Sequence, residues 1–125
     1  MWWIGHPNRP EIAMAHHAHD AAMDECIRLC LQCYRTCQAT LSQHCLEVGG
    51  AHVEPVHFRL MLACAEVCRT SAHLMITGSH VHKLQCAACA QVCRECAKSC
   101  AALGDMQDCV AACETCADSC ERMAA

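Results

Sequence analysis

Steps of three and four residues between the least polar positions run through most of this chain, the spacing at which side chains share one face of an α-helix. The clearest stretch is Cys86, Cys89, Cys93, Cys96 and Cys100, a CxxCxxxCxxCxxxC run that puts five thiols where a bundle helix normally carries Leu and Ile. A second stripe reads His16, His19, Met23, Cys26, Cys30, Cys33, Cys37, Leu41, His44, with Arg28, Arg35 and Glu47 off that line and Cys45 one position out of register. A third, poorer in thiols, is His57, Met61, Cys64, Cys68, Ser71, Met75, and a fourth is Met106, Cys109, Cys113, Cys116, Cys120, Met123.

Stop and start signals divide the stripes into helices. Gly5, Pro7 and Pro10 make residues 1–10 an irregular arm carrying Trp2 and Trp3. Helices are expected over about 11–48, ending at Gly49 and Gly50; 54–76, opening on Glu54 and Pro55; 79–103, with Ser79 as cap; and 105–124, with Asp105 as cap. Short connections between four amphipathic helices predict one all-α domain, an antiparallel up-down-up-down four-helix bundle with a short N-terminal arm. Leu60, Val67 and Leu74 add apolar surface beyond the sulfur line of the second helix, as ordinary packing or as a subunit interface.

Composition changes the picture in one respect. The chain has 125 residues, 3% aromatics and 16 cysteines, so sulfur replaces the missing core bulk. Such cysteine content usually marks a secreted disulfide scaffold. Here no secretory signal is visible at the MWWI start, so the expected compartment is the reducing cytosol. Gly and Pro, five and three, are too few for a loop-rich scaffold. Thiols at i and i+4 on one helix also lie side by side about 6 Å apart at Cα, a poor fit to disulfide torsions. No apolar run reaches the roughly 20 residues of a membrane span. A net charge of −4 leaves no electrostatic footprint for nucleic acid or an anionic membrane.

CxxxC pairs occur at Cys26/Cys30, Cys33/Cys37, Cys64/Cys68, Cys89/Cys93, Cys96/Cys100, Cys109/Cys113 and Cys116/Cys120. One such pair is weak evidence, since free Cys is often a small buried hydrophobe. Seven of them on facing helices make an array of two-sulfur clamps. Soft sulfur ligands select Cu(I), Zn(II) or iron and sulfur clusters. A tetrahedral all-thiolate zinc site leaves two negative charges, whereas Cu(I) approaching one ion per thiolate leaves a buried core near neutral. The stripes offer no Lys or Arg to balance charge instead. The ferredoxin reading of Cys86 to Cys96 fails because the run lacks the two-residue gaps and the following Pro of that loop. No strand precedes a CxxC as a thioredoxin-like fold requires, and no Ser, His and Asp spacing fixes a catalytic geometry, so no enzymatic activity is expected.

In the antiparallel arrangement His19, Met23, Met75, His82 and Met123 gather at one end above Cys26, Cys86 and Cys120, with His16, His17 and His80 nearby. Thioethers and imidazoles bind Cu(I) without losing a proton at neutral pH, which suits entry ligands, and this end is the expected mouth. The other end gathers His44, His57, Met61 and Met106 beside Leu41 and Leu103, and is expected to be apolar and closed.

From about Met23 to Met123 these runs resemble the bacterial copper storage proteins, Cys-lined four-helix bundles that hold many Cu(I) ions. The resemblance implies a metal-ligand set of Cys26, Cys30, Cys33, Cys37, Cys45, Cys64, Cys68, Cys86, Cys89, Cys93, Cys96, Cys100, Cys109, Cys113, Cys116 and Cys120, with His19, Met23, Met75, His82 and Met123 at the tube end. It is most similar to the cytosolic branch, which implies a cytoplasmic homotetramer. A zinc or general heavy-metal thiol buffer is the alternative, and an iron and sulfur redox protein a third reading.

Overall fold

The computed structural model describes residues 21–125. The N-terminal arm, residues 11–20 of the expected first helix, and with them His16, His17 and His19, lie outside the described residues. Helix α1 (Ala21–Thr40) continues through a π-helical turn, Leu41–Cys45, and a last turn, Leu46–Val48. A 3-10 turn, Gly50–Val53, leads to α2 (Pro55–Ile76), and α3 (His82–Leu103) and α4 (Gln107–Ala124) follow. Every regular element among the described residues is helical.

The ends of these helices have local causes. Gly49 at φ 72° stops α1 and Gly104 at φ 77° stops α3, a left-handed backbone that a side chain resists. Glu54 caps α2 by accepting from the amides of Val56 at 3.1 Å and His57 at 2.9 Å, and Pro55 occupies the first turn, where its missing N–H costs nothing. At α3 the helix starts three residues after Ser79, whose hydroxyl instead accepts from Val81 at 3.3 Å inside the preceding turn. At α4 the cap position is Met106, without a side-chain bond, while Asp105 sits at φ 58° and sends its carboxylate elsewhere.

Neighbours in sequence pack side by side, and α4 closes the ring against α1. The pairing is antiparallel: Cys26 near the start of α1 lies 3.9 Å from Cys120 near the end of α4, and Cys68 in α2 lies 3.5 Å from Cys93 in α3. All four helices turn their stripes to the axis, and the four-helix bundle read from the periodicity is the observed fold. The core is Cys with Ala65, Ala72, Ala90, Ala97 and Ala117 at its margins, and among the described residues only Leu41, Met61 and Met75 are large and fully enclosed. Such small flanking residues let helix backbones approach closely.

One register change corrects the sequence reading. With uniform 3.6-residue turns His44 follows Leu41 on the sulfur stripe and Cys45 falls outside. In the π-helical turn the Leu46 amide bonds back to the Leu41 carbonyl, five residues away. The extra residue in that turn rotates Cys45 into the core, where it is fully buried, and moves His44 to a half-exposed position.

Charge stays outside. Among the described residues no Lys, Arg, Asp or Glu is buried. Arg28 pairs with Glu25 at 2.6 Å and Arg69 with Glu66 at 2.8 Å along single helices, while Arg94 of α3 reaches Asp118 at 2.9 Å, and Glu121, on α4. Exposed pairs of this kind contribute a fraction of a kcal/mol each, roughly 0.2–1, so the bundle rests on its interior. No described helix is long and apolar enough to cross a membrane.

Among the described residues His57 is the one buried imidazole. Its Nδ1 lies 2.7 Å from the Ser99 hydroxyl, and its Nε2 has no partner. Burial holds the ring's pKa below its ordinary value, so the folded chain resists a proton that the unfolded chain accepts below about pH 6.5. Stability of the metal-free protein is therefore expected to fall as pH drops through that value and to level off below the folded pKa, because the unfolded state binds more protons across the window. Denaturant midpoints at about pH 7.5 and 5 should differ less in His57→Gln than in the parent chain. The carboxylates of Glu25, Glu54 and Glu66, held low by Arg28, by backbone amides and by Arg69 respectively, act in a separate, more acidic window.

Candidate metal centre

The bundle axis is a column of sulfur. All sixteen thiols are buried and none is paired in a disulfide. At the end formed by the start of α1 and the end of α4, Cys26, Cys86 and Cys120 form a group of three. Moving along the axis come Cys30, Cys89, Cys116 and Cys120; then Cys33, Cys68, Cys93 and Cys116; then Cys33, Cys37, Cys64 and Cys113. Within each group every sulfur lies within 4.8 Å of the others. Cys120, Cys116 and Cys33 each belong to two successive groups, so the column has no gap at which one site ends and the next begins. Cys96 and Cys100, 4.0 Å apart, extend it toward the other end. Cys109, whose thiol meets the Thr36 carbonyl at 3.9 Å, and Cys45 are buried there outside those groups.

Helical spacing produces this arrangement. Each CxxxC pair spans just over one turn, so both sulfurs project from one face, and antiparallel neighbours offset the pairs to interleave them. Cys64 of α2 meets Cys93 of α3 at 3.7 Å and Cys113 of α4 at 3.8 Å, which joins three helices at one sulfur.

Crowded thiols share protons unequally. Cys33, 3.8 Å from Cys113, is held down to about 7 by that sulfur, while Cys113 itself is pushed up by Cys33. Burial raises Cys45, and the nearby Cys109 sulfur adds to the effect. A first proton thus leaves a cluster readily and later ones do not, because each new thiolate would be a charge in a low-dielectric interior where none of the described residues supplies a buried cation.

The residues match the model of the copper storage protein family over residues 16–125. The chain belongs to the copper storage protein family. A Nitrosospira multiformis protein of known crystal structure is 48% identical, with 84% of this chain and 96% of that chain covered and a TM-score of 0.83. A Cu(I)-bound copper storage protein superposes with a TM-score of 0.76 at 34% identity, covering 83% of this chain and 99% of its own. The cysteine-rich protein YhjQ of Bacillus subtilis is 35% identical over 77 residues, 62% of this chain and 70% of its own length.

Around the family's sulfur core the structure sorts the accessory residues. Met75 is buried with its sulfur 4.0 Å from Cys86, in line with the column. Met23 and Met123 pack against the core from partly buried positions. His82 is half-buried and its Nδ1 bonds to the Ser79 carbonyl at 2.9 Å, within its own turn. At the far end Met61 and Met106 are buried beside Leu41. At that end a surface recess of about 320 Å³ is lined by Thr40, His44, Asp105, Met106, Gln107, Asp108 and Cys109. Another, of about 370 Å³, is lined by Cys100 and Met106 among others.

Sequence reasoning missed one constellation at this end. His44, His52 and Asp105 bring their ligand atoms within 4.8 Å of one another. His52 belongs to no stripe and Asp105 looked like a helix cap, so no periodic signal marks them.

Proposed function

We propose that this protein stores and buffers copper in the cytoplasm, holding several Cu(I) ions on the thiolates of the bundle axis and catalysing no reaction. The observation that carries this reading is the unbroken column of sulfur groups with shared members, on whose walls none of the described residues buries a charged side chain. Copper is cargo here: each singly charged ion replaces roughly one thiol proton and leaves the interior near neutral, the arrangement that costs least in low dielectric. The ligand set comprises all sixteen cysteines, with Met75 the best placed of the thioethers and Met23, Met123, His82 and His19 as entry ligands.

Zinc is the second reading, and one geometric fact supports it. A tetrahedral site with zinc–sulfur bonds of about 2.3 Å sets its sulfurs about 3.8 Å apart, and neighbouring thiols here lie between 3.5 and 4.0 Å. Separations alone therefore accept either metal. Charge separates them, since the double negative charge of each all-thiolate zinc site meets no buried cation among the described residues.

Exposed apolar side chains on α2 and at the start of α3, Val56 at 71%, Ile76 at 60% and Leu84 at 75% exposure, support a homo-oligomer, with a homotetramer as its proposed size. Anaerobic titration of the reduced protein with Cu(I) against a strong chromogenic chelator tests storage directly. Tight uptake of many equivalents is expected; saturation after one or two would sink the reading, and iron with inorganic sulfide in freshly purified protein would favour a redox cluster instead.

A further inference from the structure

We propose that His44, His52 and Asp105 form a separate site for one divalent cation of borderline softness, outside the thiol column and free of cysteine. Three backbone irregularities deliver the ligands from three different segments. The π-helical turn at the end of α1 swings His44 off the sulfur stripe, the 3-10 turn Gly50–Val53 carries His52, and the reversal after α3 holds Asp105 at φ 58°.

The donor geometry is that of an open metal site. His44 Nε2 and Asp105 Oδ2 lie 3.3 Å apart, and nothing bonds to that nitrogen, so the contact is close but misaligned as a hydrogen bond. Two ligands of a tetrahedral ion with bonds of about 2.1 Å are about 3.4 Å apart, and each then points at the metal rather than at the other. His52 Nε2 is also buried without a partner, and its ring meets that of His44 edge to face at a centroid distance of 5.4 Å. Two buried imidazole nitrogens with no partner are a cost that a bound cation removes.

Ligand chemistry selects the ion. Two neutral imidazoles and a carboxylate suit Zn(II) or another late divalent ion, whereas Cu(I) finds softer and far more numerous ligands in the column. Asp105 is 75% exposed and His44 36%, so water reaches a fourth position. The surface recess of about 320 Å³ beside them, lined also by Thr40, Gln107 and Asp108, gives access. An ion there ties the end of α1, the α1–α2 connection and the α3–α4 reversal together.

Zn(II) is the redox-inert probe. The full chain is first filled with Cu(I) so that the thiols are occupied, then titrated anaerobically with Zn(II) while the imidazole resonances are followed by NMR. One equivalent is expected to shift the His44 and His52 rings together without displacing copper. Asp105→Asn, which tolerates the same left-handed backbone, and His52→Gln are expected to weaken binding roughly tenfold or more, with copper capacity and helicity unchanged. His73→Gln, on the exposed face of α2, should bind like the parent. Resonances of these two rings that stay in place, or variants that bind as tightly as the parent, would overturn the assignment. Because the readout is on the imidazoles, the same titration carried past thiol saturation decides the matter even if Zn(II) fills the column.

Discussion

A Cys33→Ser, Cys116→Ser double variant is expected to lose far more Cu(I) capacity than its two missing sulfurs account for. Cys33 belongs to two sulfur groups, Cys116 to two, and together they enter all but the Cys26, Cys86 and Cys120 group. A hydroxyl in place of either sulfur is a hard, weak ligand for Cu(I), so the ions each one bridges lose a ligand at once. Cys45→Ser is the control: that thiol is as deeply buried but stands outside every group. Its loss should remove about one ion at most. Both proteins should remain helical, because Ser is close in volume and can bond to the carbonyl four residues back. The apo form should lose about 1–3 kcal/mol per buried hydroxyl left without a partner. Chelator competition under anaerobic conditions reads the capacity, and circular dichroism reads the fold. Equal losses in the double variant and the control would mean that the ions bind to isolated pairs rather than to a shared column.

The second large effect concerns protons. Loading with Cu(I) in weakly buffered solution at neutral pH is expected to release close to one proton per ion, since each ion replaces a thiol proton and none of the described residues buries a charged side chain. A thiol such as Cys33, held down to about 7 by the Cys113 sulfur, is expected to give up its proton to copper before its neighbours do. Copper affinity should then fall about tenfold per pH unit on acidification for each proton displaced. Zinc bound by four such thiols would release nearer four protons per ion and strand two negative charges. A pH-stat record of protons against metal added therefore separates the two cargoes where sulfur geometry does not.

Where the helix is regular, the thiol column is legible from spacing alone. Cys86 to Cys100 and Cys109 to Cys120 keep steps of three and four, and every one of those sulfurs is inside. The same periodicity selected His57, Met61, Cys64, Cys68, Ser71 and Met75 for the inner face of α2, and each is buried. Legibility ends at Leu41. Nothing in the residues Leu41 to Cys45 announces a π-helical turn, and the exchange of His44 for Cys45 on the inner face follows from that one hydrogen-bonding step. The Asp105 carboxylate was equally hidden, because an Asp after Gly104 at the head of a helix has the pattern of a cap. Here the backbone at that residue turns left-handed, and the side chain faces α1 rather than its own helix.

By itself the sequence determined that four helices turn a thiol face inward, because a 3.6-residue period leaves repeated three- and four-residue steps no other place to go. It also determined the softness of the cargo, since sixteen sulfurs with no cation on their stripes suit a soft, singly charged ion. Tertiary structure alone decided which thiols share a group, because that depends on the axial offset of antiparallel neighbours, a quantity set by packing and loop length. It alone brought His44, His52 and Asp105 together, since contacts between a helix end, a connection and a reversal carry no period that a chain can display.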